Sequence, residues 1–166
     1  GSFVGEGLSA VTNVMYNIYE NEVTSKIYNT SVDNSDSITS NAYSNRNIEN
    51  VNIGLSIAGI GASIVADAIV NNIDTKTYSF IDAKSKKMKT LSNLNVFAKD
   101  KTFAENTLGF GSAGGLAVAA GANINLFYAD NYAKAEVLSN SDGQINVGGT
   151  SSVSSDLIRG LNNTTV

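Results

Sequence analysis

Leu108–Tyr128, with the sequence LGFGSAGGLAVAAGANINLFY, carries no charged residue over its whole length. Taken alone, this mixture of glycine, alanine and branched apolar residues fits a membrane helix, a nucleotide-binding turn or a buried strand. The rest of the chain decides between them, because the same pattern occurs three times. Gly5, Gly59 and Gly115 coincide when the sequence is shifted by 54 and then by 56 residues. A fixed period of this size is typical of solenoids and other repeat arrays.

The three copies agree at alternate positions rather than at every third and fourth. Alternation predicts β-strands, in which successive side chains point to opposite sides. The matched sets are Leu8/Ala62/Val118, Ala10/Ile64/Ala120, Thr12/Ala66/Ala122, Val14/Ala68/Ile124, Tyr16/Val70/Leu126 and, one step out of phase, Val23/Thr77/Ala133, Ser25/Ser79/Ala135 and Ile27/Ile81/Val137. The change of phase predicts a corner between two strands near residues 17–22, 71–76 and 127–132.

The matched apolar positions are predicted to face the core of a parallel β-solenoid. The predicted core residues are Leu8, Ala10, Val14, Ala62, Ile64, Val118, Ile124, Ile27, Ile81 and Val137. The intervening side chains are mostly small or carry amides, and they are predicted to face outward. They are Ser9, Val11, Asn13 and Asn17 in the first copy and Ala117, Ala119, Gly121, Asn123 and Asn125 in the third.

The repeat also predicts the domain organisation. Residues 3–166 are interpreted as one solenoid fragment of a longer repeat protein, with units at 3–52, 53–107 and 108–166, and residues 1–2 as a cloning scar. Turns of a narrow solenoid take about 20–30 residues, so each unit is predicted to contain two turns. Six turns stacked at about 4.8 Å would form a rod of roughly 30 Å.

Composition narrows the classes of function. The 166 residues are 42% hydrophobic and 16% charged and contain no proline, which fits a folded chain of continuously paired strands. The absence of cysteine and histidine excludes thiol, zinc-finger and histidine-based catalytic sites. The net charge of −4 argues against nucleic acid as a partner. Because the carboxylates are scattered, we predict no catalytic residue, no cofactor, no metal ligand and no enzymatic activity.

Two motifs in the uncharged stretches have competing interpretations. Residues 109–114, GFGSAG, match the dinucleotide pattern G-x-G-x-x-G, but Gly121 and Asn123 would fall within the helix that this fold requires. We therefore interpret these glycines as part of the repeat. Asn123 and Asn125, with no flanking lysine or arginine, argue against a constitutive membrane span. A helix over residues 54–72 remains an alternative to a strand.

Two polar runs are candidate contact sites. Lys84, Lys86, Lys87 and Lys89 form a compact basic run that is suited to sialic acid, a lipid phosphate or an acidic protein. The alternative is a solvated corner that discourages edge pairing. Residues 33–36, DNSD, fit a polar turn better than a calcium site, because the glycine and distal glutamate of an EF-hand loop are missing.

The repeat units resemble a known family of bacterial exoproteins. GIGASIVADAIVNNIDTKTYSFIDA (residues 59–83) and LNVFAKDKTFAENTLGFGSAGG (residues 94–115) are similar to the large secreted fusobacterial leukotoxins and to filamentous-haemagglutinin-like proteins. The resemblance implies a right-handed parallel β-helix, a location outside the cell or on its surface, and an outer-membrane transporter as partner. It also implies contact with host leukocytes through an unidentified receptor. It carries over no catalytic residue.

These observations lead to two functional hypotheses. The first is a repeat segment of a secreted leukotoxin that acts on leukocytes by binding rather than by catalysis. The alternative is a structural rod or host-cell-binding segment of an adhesin.

Overall fold

The computed structural model describes the backbone of residues 1–166 and all side chains except those of Gly114 and Ala117. The chain forms seven strands and no helix in the described residues. The strands are β1 (Ser2–Tyr28), β2 (Val32–Ser35), β3 (Ile38–Asp82), β4 (Lys87–Thr90), β5 (Leu94–Leu138), β6 (Gln144–Val147) and β7 (Ser151–Thr165). The alternative of a helix over residues 54–72 is therefore wrong, since this segment lies within β3.

All strand pairs are parallel and follow the repeat. One sheet has the order β1-β3-β5-β7 and the other has the order β2-β4-β6. Leu8 pairs with Ala62, and Ala62 pairs in turn with Val118, as the sequence alignment predicts. The same holds from Ile27 to Ile81 and Val137. The prediction of an all-β parallel solenoid is confirmed.

Each of the two longest strands folds back on itself. Ser56 and Ser63 of β3 are hydrogen-bonded to one another, and so are Asn50 and Asn71. Residues 38–59 therefore form an outbound leg and residues 60–82 a return leg, and the two legs face each other across a narrow interior. In β5 the corresponding legs are residues 94–115 and 116–138.

Glycine is required at the bend between the legs. Gly61 has φ +122°, a conformation that L side chains rarely adopt. A Cβ atom added there would also clash with the carbonyl oxygen of Gly7 in the layer below. Stacked bends therefore approach one another through bare backbone.

One repeat forms one coil, so the predicted two turns per repeat are wrong. A complete coil consists of an outbound leg, a return leg and a short strand, for example β3 followed by β4. The fragment stacks four layers in its main sheet, which corresponds to roughly 19 Å at about 4.8 Å per layer rather than to the predicted 30 Å. The legs are long, and the pairing of β3 with β5 continues along both legs, on either side of the bend.

The predicted corners within residues 17–22, 71–76 and 127–132 do not occur. Strand pairing continues without interruption from Asn17–Asn71 to Glu22–Lys76 and beyond. Consequently the side-chain phase does not change along a return leg. Ile81 is fully buried, with Ile27 and Val137 packed against its cluster, so these three predicted core residues are placed correctly.

In the first half of each return leg, the residues that were predicted to face the core face outward instead. The exposed fractions of the predicted core residues there are 62% for Leu8, 66% for Val14, 43% for Ile64, 72% for Val118 and 55% for Ile124. Ala10 is also exposed and Ala62 is only half-buried. Ser9 (predicted to face outward) is fully buried instead, and the side chain of Ala117 lies outside the described set.

The narrow interior explains this inversion. Near the bend, the hydroxyl groups of Ser9 and Ser56 are 2.8 Å apart, and the Ser63 hydroxyl donates to the Ser56 carbonyl at 2.7 Å. At this level, next to the bend, legs this close leave room for serine and glycine rather than for two facing leucine side chains. Leu8 and Ile64 therefore point outward there, whereas Val65 and Ile69, which lie further along the same return leg, are buried.

Apolar packing is concentrated away from the bend. The main cluster contains Ile38, Ile81, Ala83, Met88, Leu94 and Val96 where the legs meet β4. A smaller cluster of Ile48, Ile73 and Ala104 lies midway along the legs. Between these clusters the interior is polar.

The G-x-G-x-x-G motif lies in a strand, within residues 94–138. A Cβ atom at Gly109 would meet the side chain of Ile53 at 3.3 Å, and one at Gly111 would meet Leu55 at 2.9 Å. These glycines leave space for large side chains of the preceding coil, as expected for glycines of the repeat.

The described residues include no helix with the length and apolar character needed to span a membrane.

Candidate functional site

A ladder of asparagines occupies the middle of the interior. Asn17 donates to Asn50 and Asn71, each at 3.0 Å. Asn50 donates to Asn71 at 3.0 Å and to Asn106 at 2.7 Å. Asn106 in turn donates to the facing Asn125 at 3.2 Å. The amides bond both along the stack and across it, so these buried groups stabilise one another.

A second polar group surrounds the fully buried Asp100. Its carboxylate accepts hydrogen bonds from Thr77 at 3.1 Å and from Thr102 at 3.2 Å. Asn131 donates to it at 3.3 Å, and Arg159 donates to the Asn131 carbonyl at 2.9 Å. Thr77 belongs to the preceding coil and Arg159 to the following one, so this polar group helps to hold successive coils together.

The interior does not resemble a metal site. Among the residues whose side chains are described, no group of three or more acidic, histidine or cysteine side chains is arranged to hold a metal ion. Asp67 accepts a hydrogen bond from Asn13 at 2.8 Å, in register with the column Asn13–Asp67–Asn123. The basic run predicted as a contact site, in contrast, lies on the outer surface.

The basic run forms a corner at the start of β4, and its first lysine is held in place locally. Lys84 has φ +51° and its ammonium lies 3.0 Å from the Asp82 carboxylate. It also lies over the Tyr28 ring, 5.3 Å from the centroid. The hydrogen bond between the two side chains lowers the pKa of Asp82 and raises the pKa of Lys84. Lys84 is thus part of the turn, and its charge is largely satisfied within the chain.

The other three lysines point into solvent and make up the basic corner. Lys86, Lys87 and Lys89 are exposed, and the Met88 side chain between the last two is buried in the core. Lys87 and Lys89 line a shallow cleft of about 340 Å³ together with residues of the two neighbouring short strands. Those neighbours include Asp33 and Asn146. Three of the four lysines predicted as a contact site therefore lie together, exposed to solvent, on the side of the solenoid that the short strands form.

The run at residues 33–36 forms part of β2 and the turn after it, as a polar segment. Asn34 has φ +52°, and the Asp36 carboxylate accepts a hydrogen bond from Ser92 of the next coil at 2.9 Å. These contacts fit the predicted polar turn, which aligns one corner with the next.

No family model, curated protein or solved structure matches this chain. The assignment of function therefore depends on the surfaces of the solenoid itself.

A second surface, the apolar outer side of the return legs, differs from the sequence prediction. Leu8, Val14, Ile64, Val118 and Ile124 lie on it, all exposed. The uncharged alternate positions were visible in the sequence, but they were assigned to the interior. Which of the two alternating sets faces inward depends on contacts between the two legs, such as those of Ser9 with Ser56 and of Asn17 with Asn50.

The Asp82–Lys84 pair leads to a prediction about pH. The folded pKa of Asp82 is below its ordinary value of 3.8, so its stabilisation is fully present above that pH and is lost as pH falls through the lowered value. We expect Asp82→Asn to lower the melting temperature at pH 6, and the difference from the original protein to disappear as the pH falls well below 3.8. Thermal melts followed by circular dichroism across this range measure it. Asp33→Asn at an exposed site is the control, and a difference independent of pH would contradict the prediction.

Proposed function

We propose that this chain is a solenoid segment of a secreted bacterial exoprotein that acts on host leukocytes by binding rather than by catalysis. The observation that carries the proposal is the basic corner. Lys86, Lys87 and Lys89 are exposed together on a protein whose net charge is −4. Such a patch attracts anionic groups, and host cell surfaces present these as sialic acids, sulfated glycans and lipid phosphates.

The organisation of the interior supports the same proposal. Buried polar groups such as Asp100 and Asn106 are engaged in hydrogen bonds between coils, so they serve stacking. A repeated scaffold with a short basic side suits contact with an extended surface. The resemblance to leukotoxins indicates leukocytes as the target, secretion or display at the bacterial surface as the location, and an outer-membrane transporter as the export partner.

Binding of fluorescently labelled protein to leukocytes and to epithelial cells tests the proposal. The variant Lys86→Gln/Lys87→Gln/Lys89→Gln removes the corner charges. The control Lys26→Gln/Lys76→Gln/Lys101→Gln removes the same amount of charge elsewhere. We expect the corner variant to bind leukocytes about 100-fold more weakly, since each of the three lysines contributes about 1 kcal/mol near an anionic surface. The control variant is expected to bind almost as well as the original protein.

The outcomes separate the two functional hypotheses. Selective binding to leukocytes that depends on the corner supports the leukotoxin-like function. Equal binding to both cell types favours the adhesin segment. Equal losses for the corner and control variants would attribute binding to net charge alone, and absence of binding to either cell type would refute the proposal.

A further inference from the structure

The uncharged outer face is the broad apolar surface formed by the return legs of three coils. It consists of the outward side chains at alternate positions of residues 8–16, 62–70 and 118–126, among them Leu8, Ile64 and Val118. None of these outward residues is charged, and only Thr12 and Tyr16 carry a polar group. Val118 is 72% exposed, so the face is open to solvent in a single chain.

The dimensions of this face are just below those of standard stable protein interfaces and fit a weak, reversible one. Nine residues along each strand at about 3.3 Å, across three layers at about 4.8 Å, cover an area of roughly 35 by 15 Å including the side chains. That is roughly 500–600 Å² on each chain, or about 1,000–1,200 Å² for a pair. Apolar patches of this size on a soluble protein commonly mark an interaction site.

The arrangement of large and small side chains on this face suits the packing of one sheet on another. Ala66 pairs with Ala122 at its centre, and on either side a large residue lies beside an alanine, Ile64 beside Ala120 and Ile124 beside Ala68. Two such faces pack about 10 Å apart when large residues of one enter the grooves of the other. Because no charge lies on the face, no ion has to be desolvated when it is covered.

The border of the face argues against a membrane as the occupant. Glu20, Glu22 and Asp74 line one end of it, and Lys76 there is already paired with Asp74 at 3.5 Å. An acidic border is repelled by anionic lipid, and alanine gains little on transfer to hydrocarbon. When the same alanines pack against a second sheet instead, they gain close van der Waals contacts.

We propose that two copies of this chain pair through the uncharged outer face, sheet against sheet. The basic corner lies on a different side of the coil, so this pairing is independent of the proposed function, and either can fail without the other. Pairing would leave both basic corners exposed and would double the number of cell contacts per particle.

Sedimentation velocity of the purified chain from about 1 to 100 µM tests the pairing. The face variant Ile64→Asp/Val118→Asp places two carboxylates on the proposed interface. The control variant Val51→Asp/Ile53→Asp places two at exposed apolar sites of the outbound leg, where exposure is 61% and 67%. We expect a dimer for the original and control proteins at about 100 µM. For the face variant we expect a dimer dissociation constant at least about 30-fold higher.

Circular dichroism of each variant confirms that it is folded, and the single change Val118→Lys provides a second face variant if the double change unfolds. A monomer at about 100 µM for the original protein would overturn the proposal. A dimer that withstands both face variants would also overturn it and would point to the strand edges of β1 and β7. Flotation of the original protein with neutral or anionic vesicles, without dimerisation in solution, would assign the face to lipid instead.

Discussion

Val65→Asp is expected to lower the free energy of unfolding by about 3–5 kcal/mol, whereas Ile64→Asp is expected to lower it by less than about 1 kcal/mol. The two residues are adjacent in β3, but Val65 is fully buried and Ile64 is 43% exposed. At position 65 the new carboxylate would lie between the legs, two residues from the buried Asp67 on the same side of the strand. At position 64 it would point into water.

Urea denaturation followed by circular dichroism measures both changes, at a protein concentration low enough to keep the chain monomeric. Val118→Asp is a second substitution on the same outer side, in β5, where the side chain is 72% exposed, and its effect should match that of Ile64→Asp. The phase of the strands would be wrong if Ile64→Asp proved the more damaging of the two changes. Equal effects would contradict the separation of inner and outer sides.

Asn106→Asp is the second change with a large expected effect. Asn106 is 1% exposed and links four other asparagines of the ladder. Its amide nitrogen donates to Asn125 at 3.2 Å and to Asn163 at 3.3 Å. Aspartate would replace this donor with an oxygen facing two acceptor oxygens, and it would place a charge in the interior. We expect a loss of about 2–4 kcal/mol in the free energy of unfolding.

Asn41→Asp is the matched control, because Asn41 points outward and is exposed. Its expected cost is under about 0.5 kcal/mol in the same urea experiment. Asn106→Leu separates loss of hydrogen bonds from added charge, because it removes the amide without introducing a carboxylate. If Asn106→Asp cost no more than Asn41→Asp, the ladder would contribute nothing measurable to stability.

The basic corner illustrates how far the sequence could predict a site. The closeness of Lys86, Lys87 and Lys89 follows from their spacing, and exposure is the ordinary state of lysine. The different role of Lys84 does not follow from spacing. It depends on a positive φ angle at Lys84 and on Asp82 and Tyr28, which the coil brings alongside.

The uncharged outer face and the polar interior could not be distinguished from sequence alone. In residues 8–17 one side of the strand carries Leu8, Val14 and Tyr16, and the other carries Ser9, Asn13 and Asn17. Burying the apolar set is the usual solution, and it was predicted here. The structure turns the other set inward, including the half-buried Val11 and Met15, and the serines and asparagines of that set bond to residues of the facing legs.

The sequence by itself determined the period, the parallel register and the strand character, because stacked coils place the same kind of side chain at equivalent positions. Gly5, Gly59 and Gly115 mark that register without any structural information. Only the tertiary structure decided that one repeat makes one coil and which side of each return leg is buried. Both depend on where the strand folds back and how close its two legs come, which are distances between residues far apart in the chain, such as Asn50 and Asn71.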